Sequence, residues 1–189
     1  MDALTALHTR SSIGQLNEPG PTPEQLNNIL KAGLRASDHG RLRPWKFLLI
    51  EGSARQALGE LFVKVALQDN PSLSDDERNK LLNNPLRAPT IITVIAKVRP
   101  NDKIPAIEQT LSAAGAAQLM LLAAHAQGLG GIWKTGKMAY DKRVFKELGL
   151  GDGDQIIGFL YFGTPNTTKP MAELNINDFV SRWGEISTS

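Results

Sequence analysis

The stretch LSAAGAAQLMLLAAHAQGLGGIWKTG, Leu111 to Gly136, decides how the rest of the chain is read. As far as Ala126 only Ser112, Gln118 and His125 carry polar side chains. A helix that is apolar on nearly every side is expected to be buried on all of them. The run Ala113, Ala114, Gly115, Ala116 and Ala117 lets another backbone approach closely. Gly128 suits the left-handed position just past a helix end, and Gly130-Gly131 lead into a short strand at Ile132-Trp133. The expectation is a central helix over roughly 105–127, about 35 Å long at 1.5 Å per residue. It feeds a glycine-rich turn at the edge of a functional site.

Working outward, Asp2 can cap a short helix with Leu4 and Leu7 facing inward. Asn17 to Pro21 reads as turn material. Thr22-Pro23-Glu24-Gln25 is a capping box with proline in the first turn, and Leu26, Ile29, Leu30 and Leu34 give that helix its inward stripe. Pro44 is expected to hold Arg43 extended, with a strand following from Trp45 to Ile50. Ser53 and Ser74 each open a further helix. Thr90 to Ala96 (TIITVIA) is β-branched almost throughout and reads as a strand buried on both faces. A helix over roughly 139–148 carries Val144, Phe145 and Leu148 inward, and Gln155 to Phe162 is the last strand. The tail from 164 to 189 is polar apart from Phe179, Val180 and Trp183, which need a surface to pack on. Four strands among five or six helices make an α+β, three-layer arrangement in a single domain spanning 1–189.

Composition narrows the chemistry. The 189 residues are 41% hydrophobic and 21% charged with a net charge of +2, and no dense basic block exists to grip nucleic acid. The absence of cysteine removes disulfides, thiolate metal sites and a catalytic thiol. Three histidines, His8, His39 and His125, give no metal-ligand spacing. No basic, then apolar leader follows Met1, and the central apolar run is shorter than the roughly 18 residues a membrane span requires. These features predict a cytoplasmic protein with no membrane or nucleic-acid partner. No nucleophile triad, paired carboxylates or Walker loop is present, so hydrolysis has no support.

Three constellations remain. Arg10-Ser11-Ser12 offers a guanidinium fork beside two hydroxyls, which suits phosphate; the same turn is also an ordinary solvated loop. Arg35, Asp38, His39, Arg41 and Arg43 crowd the segment before Pro44-Trp45, either as surface charges or as a clamp for an anionic planar ligand. Lys134 and Thr135 follow the glycine-rich turn, which comes after a helix and so lacks the strand-to-helix order of a dinucleotide fingerprint. His125 by itself reads as a core histidine, and Glu108 and Gln109 as polar contacts.

In order and spacing, the RSS turn, the loop ending Arg43-Pro44-Trp45, the LSAAGAAQLMLLAAHAQGLGGIW stretch and the closing GFLYFGTP together resemble the nitroreductase family of flavoproteins over about residues 1–165. The likeness is to its small, minimal bacterial members, the NAD(P)H nitroreductases. That resemblance implies a three-layer, FMN-dependent nitroreductase-like fold with a central mixed sheet flanked by helices and a long buried central helix. It also implies a homodimer with two FMN sites at the interface, each built from both chains, with the 164–189 extension packing on the partner subunit. Carried onto this chain, Arg10, Ser11 and Ser12 hold the FMN phosphate and ribityl end. Arg35 and His39 reach the flavin of the other subunit, and Trp133, Lys134 and Thr135 line it. Ala123, Ala124, His125, Ala126, Gln127 and Gly128 face the NAD(P)H side. No side chain is expected as a nucleophile and no metal as a ligand.

Family members commonly carry Arg or His where Ser11 stands, an aromatic residue near Ile107, and a basic residue near position 14 facing flavin N1 and O2. Position 14 here is glycine, so Lys134 or Arg35 is expected to supply that charge. With no cysteine and no metal cluster, redox chemistry falls to the cofactor while the protein positions and tunes it. The expected activity is hydride transfer from NAD(P)H to flavin, then reduction of a nitroaromatic, quinone or related acceptor in a ping-pong cycle. A non-catalytic FMN carrier, or dehalogenation or desaturation on the same fold, are the alternatives.

Overall fold

The structure, a computed structural model, describes residues 1–167 and 171–184. Its order is α1 (Ala3–Thr9), β1 (Leu16–Asn17), α2 (Pro23–Gly33), β2 (Trp45–Glu51), α3 (Ala54–Asp69), α4 (Asp75–Asn83), β3 (Thr90–Lys97), α5 (Ala106–Ala126), β4 (Gly130–Lys134), α6 (Lys142–Glu147) and β5 (Asp154–Pro165). The capping boxes at Thr22 and Ser74 both form, and Asp2 accepts from the Thr5 N–H. Ser53 starts α3 without a side-chain cap.

β5 is the middle of the sheet. It pairs with β3 along one edge and with β4 and then β1 along the other, and β2 lies outside β3. The sheet expected as mixed is antiparallel at each described ladder. The reason is connectivity. The chain arrives at β3, β4 and β1 running against β5, so no described neighbours run the same way. β1 itself falls where the sequence suggested only a turn. Two residues carry no periodicity, and Leu16 and Asn17 become a strand only because the end of β5 offers Pro165 and Thr164 as partners.

β3 is buried from Thr90 to Ala96, as its β-branched run predicts. Ile91 faces one cluster with Phe62 and Val65 of α3 and Val144 of α6, while Ile92 and Val94 face Ile29 of α2 and Met120 of α5. Helices on both faces of one sheet give the three layers. α2 crosses α5 closely because residue 33 is glycine: a Cβ there would lie 3.0 Å from Met120 and 3.1 Å from Phe47. Gly33 therefore takes the inward place expected of Leu34, which is exposed.

Two further expectations are corrected. Ala6, not Leu4 or Leu7, is the buried residue of α1; the leucines are 65% and 56% exposed. α5 buries one face, through Ala113, Ala116, Ala117, Met120, Leu121 and Ala124, but leaves Ile107 and Leu111 each 61% exposed. Its apolar composition exceeds what this one chain can cover. Phe179 and Trp183 of the tail are exposed too, and residues 168–170 and 185–189 of the predicted extension lie outside the described residues. Among the described residues, no helix is long and apolar enough to cross a membrane.

Candidate functional site

The site grows from the end of α5. Gly128 adopts φ 80°, and Leu129 N–H bonds back to the Ala124 carbonyl at 3.0 Å, closing the helix as its glycine predicts. The next two glycines are required by packing. A Cβ on Gly130 would lie 2.5 Å from Leu16, and one on Gly131 would lie 3.0 Å from Leu121. This close approach lets Ile13 donate to the Gly131 carbonyl at 3.1 Å, so the segment after the RSS turn runs beside β4.

A cavity of about 230 Å³ opens there, lined by Arg10, Ser11, His125 and Gly128 to Gly131. The fold thus brings the Arg10-Ser11 turn to the glycine-rich turn after α5, while Lys134 and Thr135 line a separate cavity. No hydrogen bond or ion pair among the described residues engages the side chain of Arg10, Ser11 or Ser12; Ser12 is exposed beside the cavity. His125 bonds Thr9 Oγ1 through Nε2 at 2.9 Å. Thr9 Oγ1 also donates to the Thr5 carbonyl at 2.6 Å, so the histidine is the donor in the shared bond. Burial, then the Arg10 charge, lowers the His125 pKa. Ala124 is fully buried and Gln127 is bonded to Gln25 and Asn28, while His125 and Gly128 are the members of the 123–128 group that line the cavity.

β4 alternates sides. Trp133 turns into the core, donating Nε1–H to the Ile157 carbonyl at 3.1 Å. That carbonyl is free because β5 bulges: Ile95 pairs with Ile156 and Val94 with Gly158, leaving Ile157 unpaired. Lys134 points the other way, its ammonium 5.5 Å from the Tyr161 ring centroid. Lys134 and Thr135 line a second cavity, about 400 Å³, whose walls are Phe62 and Ala66 of α3, Leu81 of α4, Phe159 and Tyr161. The acidic residues bordering it are committed elsewhere: Asp69 to Arg143 and Lys137, and Glu77 to Ser74. Burial, then the charge of Arg87, depresses the Lys134 pKa. Burial pushes the Tyr161 hydroxyl up to about 12 against the opposing pull of the same Arg87.

Arg87 is the residue sequence reading missed. It ends the short 3-10 turn Asn84–Arg87, and its Nη2 stands 3.5 Å from the position a Cβ on Gly14 would take. The signal was present in Pro85 and Pro89 on either side, which fix the backbone that carries it.

The third constellation lies elsewhere. His39 Nδ1 meets Glu108 Oε2 at 2.5 Å over the first turn of α5, beside a third cavity lined by Asp38, Leu111 and Gly115. Arg35 is exposed just beyond α2. Arg43, expected extended before Pro44, instead has φ 49°, and Arg41 has φ 55°. Asp38 causes this by accepting from Arg43 N–H at 2.7 Å, which closes the loop tightly enough to override the proline's preference. Left-handed non-glycine residues store strain, which collects at functional segments.

The Nitroreductase family pattern matches residues 7–164, and the chain belongs to that family. It is 45% identical over 179 residues to the Escherichia coli protein named "Putative NAD(P)H nitroreductase YdjA", covering 94% of this chain and 96% of that one. A Haemophilus influenzae protein named "Putative NAD(P)H nitroreductase" is 36% identical over 184 residues, covering 96% and 99%. Among solved structures, a nitroreductase-like family protein from Bacillus cereus superposes with a TM-score of 0.81 at 22% identity, covering 96% of each chain. A nitroreductase from Desulfovibrio desulfuricans, described as putative and in complex with FMN, gives 0.74 at 20% identity, again covering 96% of each.

Proposed function

We propose that this protein is an FMN-dependent oxidoreductase that takes hydride from NAD(P)H and reduces a nitroaromatic, quinone or related acceptor in a ping-pong cycle. The observation that carries the reading is the meeting of Arg10 and Ser11 with the Gly128–Gly131 turn at one cavity, with no acidic partner for the arginine among the described residues. The residues fit the cofactor. A phosphate completes the hydrogen bonding of Arg10, Ser11 and Ser12, and the ring finds Lys134 and Thr135 at the β4 exit. Bound FMN supplies the two-electron chemistry. The chain's own work is to hold the phosphate, exclude water with the walls of the second cavity, and place positive charge beside the ring. His125, fixed by Thr9, keeps α1 and Arg10 at the end of α5 and borders the space left for nicotinamide with Gly128.

The assembly supported by this geometry is a homodimer. Glu108, which holds His39, and His125, which borders Arg10, are seventeen positions apart on one helix, about 25 Å at 1.5 Å per residue. One chain therefore cannot bring His39 and Arg10 to a single flavin. Two α5 helices packed antiparallel on their exposed apolar faces place the Arg35–His39 end of one copy against the Arg10 end of the other. The tail then covers the partner with Phe179 and Trp183.

The test is spectroscopic. Purified protein should carry or take up one FMN per chain, bleach anaerobically with NADH or NADPH, and recover its yellow colour when an acceptor is added. A protein that cannot be reconstituted with FMN overturns the reading. One that binds FMN but is bleached by neither nucleotide is a carrier.

A further inference from the structure

Tyr161 is a phenol buried without a hydrogen bond. It is 2% exposed, and nothing among the described residues accepts from its hydroxyl. Its place in the sheet explains why. Tyr161 pairs with Ile91 of β3 on one side and Ile132 of β4 on the other, and neither side chain offers an acceptor. Phe159, two residues earlier on the same face of β5, packs edge-on against Phe62 of α3 with ring centroids 5.7 Å apart. The phenol leaves the sheet among hydrocarbon. Buried polar groups nearly always find a partner, and one left without costs free energy. Burial also pushes the pKa of this hydroxyl up to about 12, so at neutral pH it keeps its proton and can donate.

The cavity of about 400 Å³ at the exit of β4 is the space the hydroxyl meets. Tyr161 and Phe159 line it with Phe62, and Thr135 and Gly136 stand at its edge. Among the described residues, Thr93 Oγ1 is the side-chain polar atom sealed from solvent with no partner. The Tyr161 oxygen is equally unpartnered but not sealed, so the small accessible part of this residue includes it. The groups around the cavity do not satisfy it. Lys134 lies over the Tyr161 ring, 5.5 Å from its centroid, and an ammonium has no lone pair to accept with. The bordering carboxylates, Asp69 and Glu77, are held by Arg143, Lys137 and Ser74.

We propose that the Tyr161 hydroxyl is a ligand-binding donor, giving its hydrogen bond to a carbonyl oxygen of the flavin ring and fixing that ring with its pyrimidine end inward. This rests on the FMN reading above. The chemistry of the ring decides which end enters. The dimethylbenzene end of an isoalloxazine carries no acceptor, whereas the pyrimidine end carries two carbonyl oxygens. A cavity with aromatic walls and a buried donor suits a flat ring that enters by its carbonyl end. The donor is also held before the ligand arrives, because β5 is paired along both edges at this residue.

Tyr161→Phe removes the oxygen and keeps the ring. Because the hydroxyl has no partner in the folded chain, the variant without cofactor should have an unchanged or higher Tm. With cofactor the effect should reverse in sign. The dissociation constant for oxidised FMN, from flavin fluorescence, should rise about three- to tenfold. Infrared difference spectra should show a carbonyl stretch of bound FMN moved to higher frequency, since a hydrogen bond to the oxygen weakens the C=O bond. A second measurement leaves Tyr161 intact. The chain has two tyrosines, and Tyr140 is 71% exposed. Fluorotyrosine incorporation gives one fluorine resonance for each, and the one that persists in Tyr140→Phe belongs to Tyr161. It should move when FMN is added.

An unchanged FMN dissociation constant with unmoved carbonyl bands in Tyr161→Phe overturns the proposal. So does a lower Tm without cofactor, which would give the hydroxyl a structural partner. A higher KM for the acceptor with FMN affinity intact would assign the hydroxyl to the acceptor and overturns it too. If Tyr161→Phe fails to fold, the fluorine resonance decides, and one that FMN leaves in place overturns the proposal. Wild-type protein that binds no FMN removes the functional reading as well. Wild-type protein that is yellow, with an FMN affinity insensitive to Tyr161→Phe, removes this inference alone.

Discussion

At the scale of single residues, the site depends on charges left unpaired. Arg10 carries the phosphate in the proposed arrangement through charge-assisted bonds, each of which contributes about 1.5–3 kcal/mol. Arg10→Ala should therefore raise the FMN dissociation constant by at least about tenfold, measured by fluorescence titration. Unchanged affinity would place the phosphate elsewhere. The local sequence made Arg10 a candidate because a fork beside two hydroxyls is written in consecutive residues. It gave no such notice of Arg87, seventy-three positions from Gly14. Proximity of that kind is a product of packing. The same distinction explains Arg43: the following proline is a local signal for extended backbone, and the Asp38 carboxylate overrides it from five residues away.

At the scale of elements, the β4–β5 pair sets the exit of α5 in place. Gly158 is next to the bulge, and a Cβ on it would lie 2.1 Å from Trp133 Nε1. Gly158→Ala should displace the indole from the Ile157 carbonyl and cost about 1–3 kcal/mol from overpacking, read as a lower Tm. A variant as stable as wild type would mean that the indole has another resting place. The start of β5 is tied to the end of β3 by the buried Asp154. Burial raises its pKa, but Lys97 Nζ at 2.6 Å and the Gly151 N–H at 2.8 Å outweigh that and hold it below the usual carboxylate range. Because the folded value is depressed, the contribution is present above the unfolded pKa of about 3.9 and fades as pH falls below it. Asp154→Asn should cost about 1–3 kcal/mol at pH 7. The gap between variant and wild type in urea unfolding should close below about pH 4. A gap of equal size at pH 3 and pH 7 would show that the charge is not what stabilises this junction.

At the scale of the whole molecule, the proposed dimer covers the exposed face of α5 and the exposed Phe179 and Trp183 of the tail with a second copy. Contiguous apolar surface of this kind marks an interaction site in soluble proteins. Leu111→Arg, on that face and away from Arg10, should convert a dimer to a monomer by analytical ultracentrifugation. It should also release FMN, because Arg35 and His39 of the second copy would be withdrawn. A monomeric variant that keeps FMN at wild-type affinity would show that one chain completes the site.

The sequence by itself determined most of the elements, though not β1 and not the limits of α6, which runs over Lys142–Glu147 rather than 139–148. Capping boxes, glycine stops, the β-branched run of β3 and the greasy length of α5 are interactions among residues within about one turn or one strand of each other. It also determined the family, through motifs that survive as consecutive residues. The tertiary structure alone decided that α5 leaves Ile107 and Leu111 uncovered, that Leu16–Asn17 become a strand, that Ile157 bulges to receive Trp133, and that Arg87 stands over Gly14. Each of these depends on contacts between distant segments. Side-chain volume and backbone hydrogen bonding select such contacts only when the whole core closes.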